Sequence, residues 1–437
     1  MRAGAAAGTE NSGADHPMKV VVIGLGYVGL PLVVEMVRTG HRVIGLDRDE
    51  AIVTALQGGS SHIDDIDAET VGKILAAGFR PTTDARCIGE ADTVVVCVPT
   101  PLSKDGAPDL GAVEGVGRML GKELTADTLV VLESTTYPGT TEEFFQPLVE
   151  AGGLKVGAEL NLAFSPERVD PGNKVYGIKN TPKVVGGVTA ECTRRAVDFY
   201  ASFIDTVVPA KGTREAEMAK LLENTFRHIN IALVNEMARF SHELGIDLWN
   251  VIECAKTKPF GFQAFYPGPG VGGHCIPIDP NYLSHTVQSR LNYPFRFVEL
   301  AQEVNAGMPT YVARRIQDRL NDDGKAVRGS RVLLLGVTYK ANIADERESP
   351  AVPLAAKLLD LGADLRFHDP YVSVWNAAEH GDRERLLKGE TDLRQAMQEA
   401  DLVVLLQAHQ EYVGGALDGA RVFDTRGVLA GDGVERL

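Results

Sequence analysis

The chain has 437 residues, with 44 Lys and Arg against 59 Asp and Glu for a formal net charge of −15. That length implies two or three domains, and 44% hydrophobic with 24% charged residues describes a folded globular chain, excluding disorder, a collagen-like repeat and a membrane protein. The acidic balance, with no long basic run, also excludes the electrostatic footprint of a nucleic-acid or anionic-membrane binder, so an anionic substrate needs locally placed cations.

Residues 1–17, rich in Ala, Gly and polar side chains, lack the apolar core of a secretory signal and read as a disordered tail. The first strand, Lys19 to Ile23, breaks into Gly24-Leu25-Gly26-Tyr27-Val28-Gly29 and a helical pattern from Leu30 to Thr39. A second strand, Arg42 to Leu46, ends at Asp47, 18 residues after Gly29. Strand, glycine turn, helix, strand and acid is the pattern of a dinucleotide site. The glycines admit a pyrophosphate, the helix N-terminus offers unpaired N–H groups, and the acid bonds the ribose hydroxyls. Asp47 repels a 2′-phosphate, which favours NAD over NADP. Further buried strands, Asp92 to Val98 and Thr128 to Glu133, continue a parallel α/β alternation.

From Glu215 to about Leu244 there is no Gly or Pro, and apolar residues recur at Met218, Leu221, Leu222, Phe226, Ile229, Leu233 and Met237. The spacing predicts a helix of roughly 45 Å, long enough to connect two domains and to build a dimer. The last third echoes the first. Arg331 to Gly336 repeats the opening strand, Ala400 to Leu405 matches Ala91 to Val96, and a helix from Pro353 to Leu361 precedes a strand from Asp364 to His368. This second doubly wound domain has no GxGxxG, so it is expected to take a nucleotide whose phosphates meet Lys340.

Five cysteines, Cys87, Cys97, Cys192, Cys254 and Cys275, form no CxxC pair; no metal is expected, and a reducing cytoplasm fits. Cys97 reads as a buried strand residue. Cys275 instead lies in the stretch 268–280, where four glycines and three prolines in thirteen residues fix an irregular backbone around one thiol. That suits a nucleophile attacking a carbonyl carbon. Asp279 reads as the N-cap before Pro280 and as a group facing the thiol, and His274 as a loop residue supporting the backbone. Lys220 and Asn224 lie four apart on one helix face, and Lys220, among apolar neighbours, is either a solvated surface residue or a cation that stabilises negative charge developing on oxygen. Glu167, in Ser165-Pro166-Glu167-Arg168, is either an ion-paired acid or a general base.

Six motifs in order carry a resemblance over residues 18–437: the glycine turn, Glu133 to Thr140, Ser165 to Arg168, Glu217 to Asn224, Gly272-Gly273-His274-Cys275 and Asp345 to Ser349. The chain resembles the UDP-glucose/GDP-mannose dehydrogenase family. Within it, Lys258-Pro259-Phe260-Gly261-Phe262 and the PGPGVGGHCIPIDPNYL stretch are most similar to UDP-N-acetylglucosamine and related N-acetylhexosamine 6-dehydrogenases. The resemblance implies an α/β fold of two Rossmann-like doubly wound parallel-sheet domains joined by a long central helix. The expected divisions are an NAD-binding domain over 18–211, a central helical dimerisation domain over 212–310 and a UDP-sugar-binding domain over 311–437.

It also implies oxidation of a nucleotide-sugar C6 hydroxymethyl to a carboxylate, with two NAD and one water consumed. Lys220, or a water held by Asp279 and Thr135, takes the alcohol proton. Cys275 traps the aldehyde as a thiohemiacetal that becomes a thioester, Lys220 and Asn224 polarise the oxygen, and Glu167 activates water for hydrolysis. By resemblance, Gly24, Gly26, Tyr27, Val28, Gly29, Asp47, Thr100, Ser134, Thr135 and Arg347 belong to the cofactor. Glu167, Lys220, Asn224, the loop with Tyr266, Gly268, Gly270, Gly272 and Gly273, and the pair Tyr339 and Lys340 belong to the UDP-sugar. Two departures from UDP-glucose enzymes stand out. Pro171, beside Asp170, replaces an acid, and the 256–266 loop has Phe260, Phe262 and Phe265 but no matching Arg. An aromatic wall suits an acetamido methyl. UDP-N-acetylglucosamine is thus the first expected substrate, with UDP-N-acetylmannosamine and UDP-glucose as rivals. A two-electron 6-phosphogluconate-type dehydrogenase and a silent nucleotide-sensing protein are more distant alternatives.

Overall fold

The computed structural model describes residues 17–63, 66–101, 103, 107–168, 173, 175–273, 276–378 and 384–437. Of the expectations above, the tail up to residue 16, Asp170, Pro171, His274 and the proposed nucleophile Cys275 lie outside the described residues. The chain divides into two compact units, residues 1–221 and 222–437.

The first unit begins with β1 (Lys19–Ile23), α1 (Gly29–Arg38), β2 (Arg42–Leu46), α2 (Glu50–Gln57), α3 (Ala68–Ala76) and β3 (Arg80–Thr82). Next come β4 (Thr93–Val96), α4 (Gly111–Glu123), β5 (Leu129–Leu132), α5 (Gln146–Val149) and β6 (Asn161–Phe164). It continues through β7 (Lys183–Gly187), α6 (Ala190–Ala201) and β8 (Val207–Pro209) into α7 (Thr213–Glu243), within which the division between the units falls. The eight strands form one sheet in the order β3-β2-β1-β4-β5-β6-β7-β8. All neighbours are parallel except β6 and β7. Val20 and Val22 of β1 enter a core with Leu30 and Val33 of α1 and Phe199 of α6, whereas Val21 and Ile23 enter a second core with Val113 and Leu120 of α4. Period-two side chains thus find apolar cover on both faces, and for that reason β1 reads as an unbroken apolar run. Strand order reverses at β1, which lies between β2 and β4, so the crevice beyond the carboxyl ends of β1 and β4 is the switch point at which such sheets take ligands.

The second unit adds α8 (Leu248–Ala255), α9 (Asp279–Leu291), α10 (Arg296–Asp322), β9 (Arg331–Leu335), α11 (Ala351–Asp360) and β10 (Asp364–His368). After a small antiparallel pair, β11 (Val374–Asn376) and β12 (Leu386–Lys388), come α12 (Leu393–Glu399), β13 (Leu402–Leu405), β14 (Val422–Asp424) and β15 (Val434–Arg436). The main sheet is all parallel in the order β10-β9-β13-β14-β15. Val332 and Leu334 pack with Val312 of α10 and Leu354 of α11, and Leu333 and Leu335 with Ala396 of α12.

The internal echo extends to hydrogen bonds. Gly24 N–H donates to Leu46 O at 2.9 Å and Leu25 N–H to Asp47 Oδ2 at 2.8 Å. In the second sheet Gly336 N–H donates to His368 O at 3.1 Å and Val337 N–H to Asp369 Oδ2 at 2.8 Å. Each turn after a first strand is thus tied to the acid that ends the second. The helix expected from Pro353 starts two residues earlier, at Ala351, because proline's missing N–H is harmless in a first turn. Among the described residues no helix is long and apolar enough to cross a membrane.

Candidate active site

In the first unit the glycine turn joins β1 to α1. Gly24 has φ +92°, and a Cβ there would meet the Cys97 carbonyl oxygen at 2.5 Å; a Cβ on Gly29 would meet the Gly24 oxygen at 1.9 Å. Both positions therefore require glycine. Gly26 differs, since a Cβ there would have nothing within 4 Å, which leaves its backbone open to a bound group. Val28, at the head of α1, makes no side-chain capping bond, so the positive end of the helix dipole is not neutralised from within. Asp47 accepts from Leu25 N–H through Oδ2 and from Asp49 N–H, at 3.0 Å, through Oδ1. These bonds fix the carboxylate at the mouth of the turn. A close-approach turn, an uncapped helix head and a fixed acid fit the pyrophosphate and diol of a dinucleotide. Tyr27 is exposed, Thr100 and Ser134 are buried and Thr135 is half-buried. Ser134 Oγ donates to Val98 O at 2.7 Å.

The strand end bearing Ser134 and Thr135 is held by a network that sequence reasoning missed. Glu133 is 2% exposed and bonds Lys183 Nζ at 2.7 Å, while the Tyr200 hydroxyl donates to its other oxygen. Lys183 Nζ also stands 5.2 Å from the Tyr200 ring centroid. Burial raises the Tyr200 phenol well above its usual range, and burial with the Glu133 charge does the same to the Cys97 thiol, making Cys97 unreactive. Beyond this segment, Glu217 on α7 accepts from Gly139 N–H at 2.6 Å, Thr141 N–H at 2.9 Å and Thr141 Oγ1 at 2.7 Å.

Glu167 and Lys220 meet. Lys220 Nζ donates to the Glu167 main-chain carbonyl at 2.7 Å and lies 3.3 Å from its Oε2, with both side chains largely buried. Glu167, Glu133, Lys183 and Val28 line one cavity of about 20 Å³ for a water's centre, room for a single water.

The second unit brings Asn224 and Asp279 together. Asn224 Nδ2 donates to Asp279 Oδ2 at 2.5 Å, and both residues are buried. Asp279 is not the N-cap: it is the first residue of α9, Ile278 precedes it at the cap, and its carboxylate serves Asn224 instead. The loop from Tyr266 to Gly273 is closely backed. A Cβ on Gly272 would stand 2.6 Å from Glu348 O, and one on Gly273 would stand 2.7 Å from the Tyr339 ring. Gly273 N–H donates to Arg347 O at 3.2 Å. The Arg347 side chain, expected on the cofactor side, forks onto Asp345 in this unit with contacts of 2.9 and 2.6 Å. Tyr339 and Lys340 are half-buried after β9, and Tyr339 O accepts from Gln407 Nε2 at 2.5 Å.

Tyr266 stacks on Trp249 with ring centroids 6.0 Å apart and planes 15° from parallel. The pair lines a cleft of about 400 Å³ in this unit together with Arg426, which sequence reasoning also missed. Its Nε donates to Leu406 O at 2.5 Å, and burial lowers its pKa to about 10, so it stays charged at neutral pH. An aromatic face beside a half-buried cation suits a base and its phosphates.

Three family models match in sequence. They are the NAD binding domain of the UDP-glucose/GDP-mannose dehydrogenase family over residues 18–204, its central domain over 214–307 and its UDP binding domain over 333–431. A UDP-N-acetyl-D-glucosamine 6-dehydrogenase of Pseudomonas aeruginosa is 35% identical, the match covering 82% of this chain and 84% of the relative. The structure of a UDP-D-ManNAc dehydrogenase from Pyrococcus horikoshii superposes with a TM-score of 0.85 at 30% identity, covering 96% of this chain and 98% of the other. A UDP-glucose dehydrogenase from Pyrobaculum islandicum gives a TM-score of 0.84 at 29% identity, covering 96% and 97%.

Proposed function

The chain belongs to the UDP-glucose/GDP-mannose dehydrogenase family and is an NAD-dependent nucleotide-sugar oxidoreductase, and we propose that it oxidises the C6 hydroxymethyl of UDP-N-acetylglucosamine to the carboxylate. The contact between Lys220 and Glu167 carries the mechanistic part of this reading, because it sets a cation and a carboxylate together where water is scarce. The 35% identical relative and the phenylalanines at 260, 262 and 265 support the acetamido sugar.

NAD, when bound, supplies the hydride acceptor for both oxidations. The glycine turn, the head of α1 and Asp47 hold it, with Thr100, Ser134 and Thr135 beside the strand ends and Arg347 assigned to the same cofactor. Lys220, or a water held by Asp279 and Thr135, removes the hydroxyl proton. The Cys275 thiolate adds to the aldehyde carbon, which keeps a reactive intermediate attached to the enzyme. Lys220 and Asn224 stabilise the oxygen as charge grows on it. Glu167 takes a proton from the water that cleaves the thioester. The UDP group is assigned to Tyr266, Gly268, Gly270, Gly272, Gly273, Tyr339 and Lys340, with Arg426 as an added cation.

A second reading, the same chemistry on UDP-N-acetylmannosamine, is favoured by the fold match to the Pyrococcus enzyme. Initial rates with the three UDP-sugars decide. The account expects kcat/KM for UDP-N-acetylglucosamine at least tenfold above the others, and a tenfold preference for either rival overturns the choice of sugar.

The chain is also proposed to dimerise through α7. Leu222, Phe226, Leu233 and Phe240 recur at helical spacing and are 62%, 46%, 54% and 46% exposed, a stripe that a second copy would cover. Light scattering should give a dimer for the chain and a monomer for Leu233→Glu; a monomeric parent chain contradicts this.

A further inference from the structure

Two buried asparagines outside every sequence motif connect the long helices to the loop that leads to Cys275. Asn235 lies on α7 and Asn305 on α10, with 0% and 4% exposure. Gly268 N–H donates to Asn235 Oδ1 at 2.9 Å, and Asn235 Nδ2 donates to Asn305 Oδ1 at 2.9 Å. Asn305 Nδ2 then donates to His228 O at 3.3 Å and faces His228 Nδ1 at 3.4 Å.

The direction of this chain is fixed at one end. A backbone N–H can only donate, so Asn235 must turn its oxygen to Gly268 and its NH2 to Asn305. Asn305 must then present its oxygen to Asn235 and its NH2 to His228, whose Nδ1 is left as an acceptor. Burial lowers the His228 pKa to about 4, so the imidazole is neutral and fills that role. A primary amide accepts at one end and donates at the other, and aligned bonds of this kind reinforce one another. The loop they reach is closely backed as well. A Cβ on Gly270 would stand 2.9 Å from Pro350 Cβ and 3.6 Å from Asn305 O, and Gly273 N–H is held by Arg347 O. Gly268 is thus the first fixed point of a segment pinned again at Gly273, two residues before Cys275 in sequence.

We propose that Asn235 and Asn305 are positioning residues which, through Gly268, set the backbone of the Tyr266–Gly273 loop assigned above to the UDP-sugar, and so hold the aldehyde in place until the nucleophile captures it. The inference rests on the reading of Cys275 as nucleophile given above. No chemical step passes through either asparagine. Their absence would leave the alcohol oxidation possible but let the aldehyde leave before the thiol captures it.

The test is the ratio of NADH formed to sugar consumed, with a hydrazine reagent present to capture released aldehyde. The native chain should give two NADH and no hydrazone. Asn235→Asp keeps the size but sets two acceptors against each other at Asn305; we expect kcat/KM for the UDP-sugar to fall about 30-fold, the scale of a small misplacement of a reacting group. The ratio should fall below two, hydrazone should appear, and KM for NAD should stay within twofold. Asn305→Asp loses the 3.3 Å bond to His228 O but still accepts from Asn235 and can accept from the other tautomer of His228, so it is the milder change and should move the same readouts a few-fold even if the first variant does not fold. A merely structural role lowers total turnover and leaves the ratio at two. That result, or wild-type kinetics, in the folded variants overturns the proposal. A ratio of one in the native chain would instead overturn the parent reading.

Discussion

Lys220 holds Glu167 at two points, the main-chain carbonyl at 2.7 Å and the carboxylate at 3.3 Å. The first contact survives replacement of the side chain, so Glu167→Gln should remove the water-activating base while leaving Lys220 in place. We expect kcat to fall by about 10²–10⁴, the range for a lost general base, and an acyl adduct to accumulate on the enzyme. Intact mass after rapid quenching reads this. Normal turnover with no adduct would show that another group activates the water.

Asn224 and Asp279 form a buried pair at 2.5 Å, in which the amide's N–H groups make room for one negative charge. Asn224→Asp places a second carboxylate there, and both cannot ionise together. The raised carboxyl keeps its proton in the fold but loses it in the unfolded chain, so stability should fall as pH rises from about 4 toward the raised value. The penalty should reach roughly 3 kcal/mol, the scale of an uncompensated buried charge. Thermal melts of both proteins across pH 4–8 check it, and parallel Tm profiles would contradict it.

Two glycines of the first turn, Gly24 and Gly26, should separate by mechanism. Gly24→Ala meets the Cys97 carbonyl oxygen at 2.5 Å with φ at +92°, and should cost stability as well as NAD affinity. Gly26→Ala meets nothing in the protein, so Tm should hold within a degree or two while KM for NAD rises at least tenfold. Unchanged NAD affinity in Gly26→Ala would remove the turn from the cofactor site.

Glu217 gives the fold an intrinsic pH dependence. Burial pushes its pKa to about 7, against the bonds from Thr141 and Gly139 that pull it down. A carboxyl with a raised native pKa holds its proton longer when folded, so its contribution is greatest below about 4.5 and is lost as pH rises through about 7. The loss amounts to about 3 kcal/mol. Denaturant unfolding at pH 5 and 8 should show the fall in the native chain and a flatter profile in Glu217→Gln; identical slopes would contradict it.

The glycine turn, Asp47, the apolar strands and α7 were legible because each is a local pattern: period two, period 3.6, or glycines at fixed spacing. The echo of the first domain in the last was legible for the same reason, but only the structure shows Asp369 standing where Asp47 stands. Glu133, Lys183 and Tyr200 were not, since their bonds join positions 50 and 67 residues apart and no spacing records such a pairing. Asn235 and Asn305, 70 residues apart, are hidden in the same way inside helices whose apolar stripe dominates the pattern. Asp279 before a proline carries the signature of an N-cap, and only the fold shows its carboxylate committed to Asn224.

The central claim is a four-electron oxidation completed on one enzyme through a cysteine-bound intermediate. The most direct test is the NADH formed per mole of UDP-sugar consumed by the purified protein. The account predicts a ratio of two with the uronate as product, falling toward one in Cys275→Ser; a ratio of one in the native chain, or an unchanged ratio of two in Cys275→Ser, would contradict it.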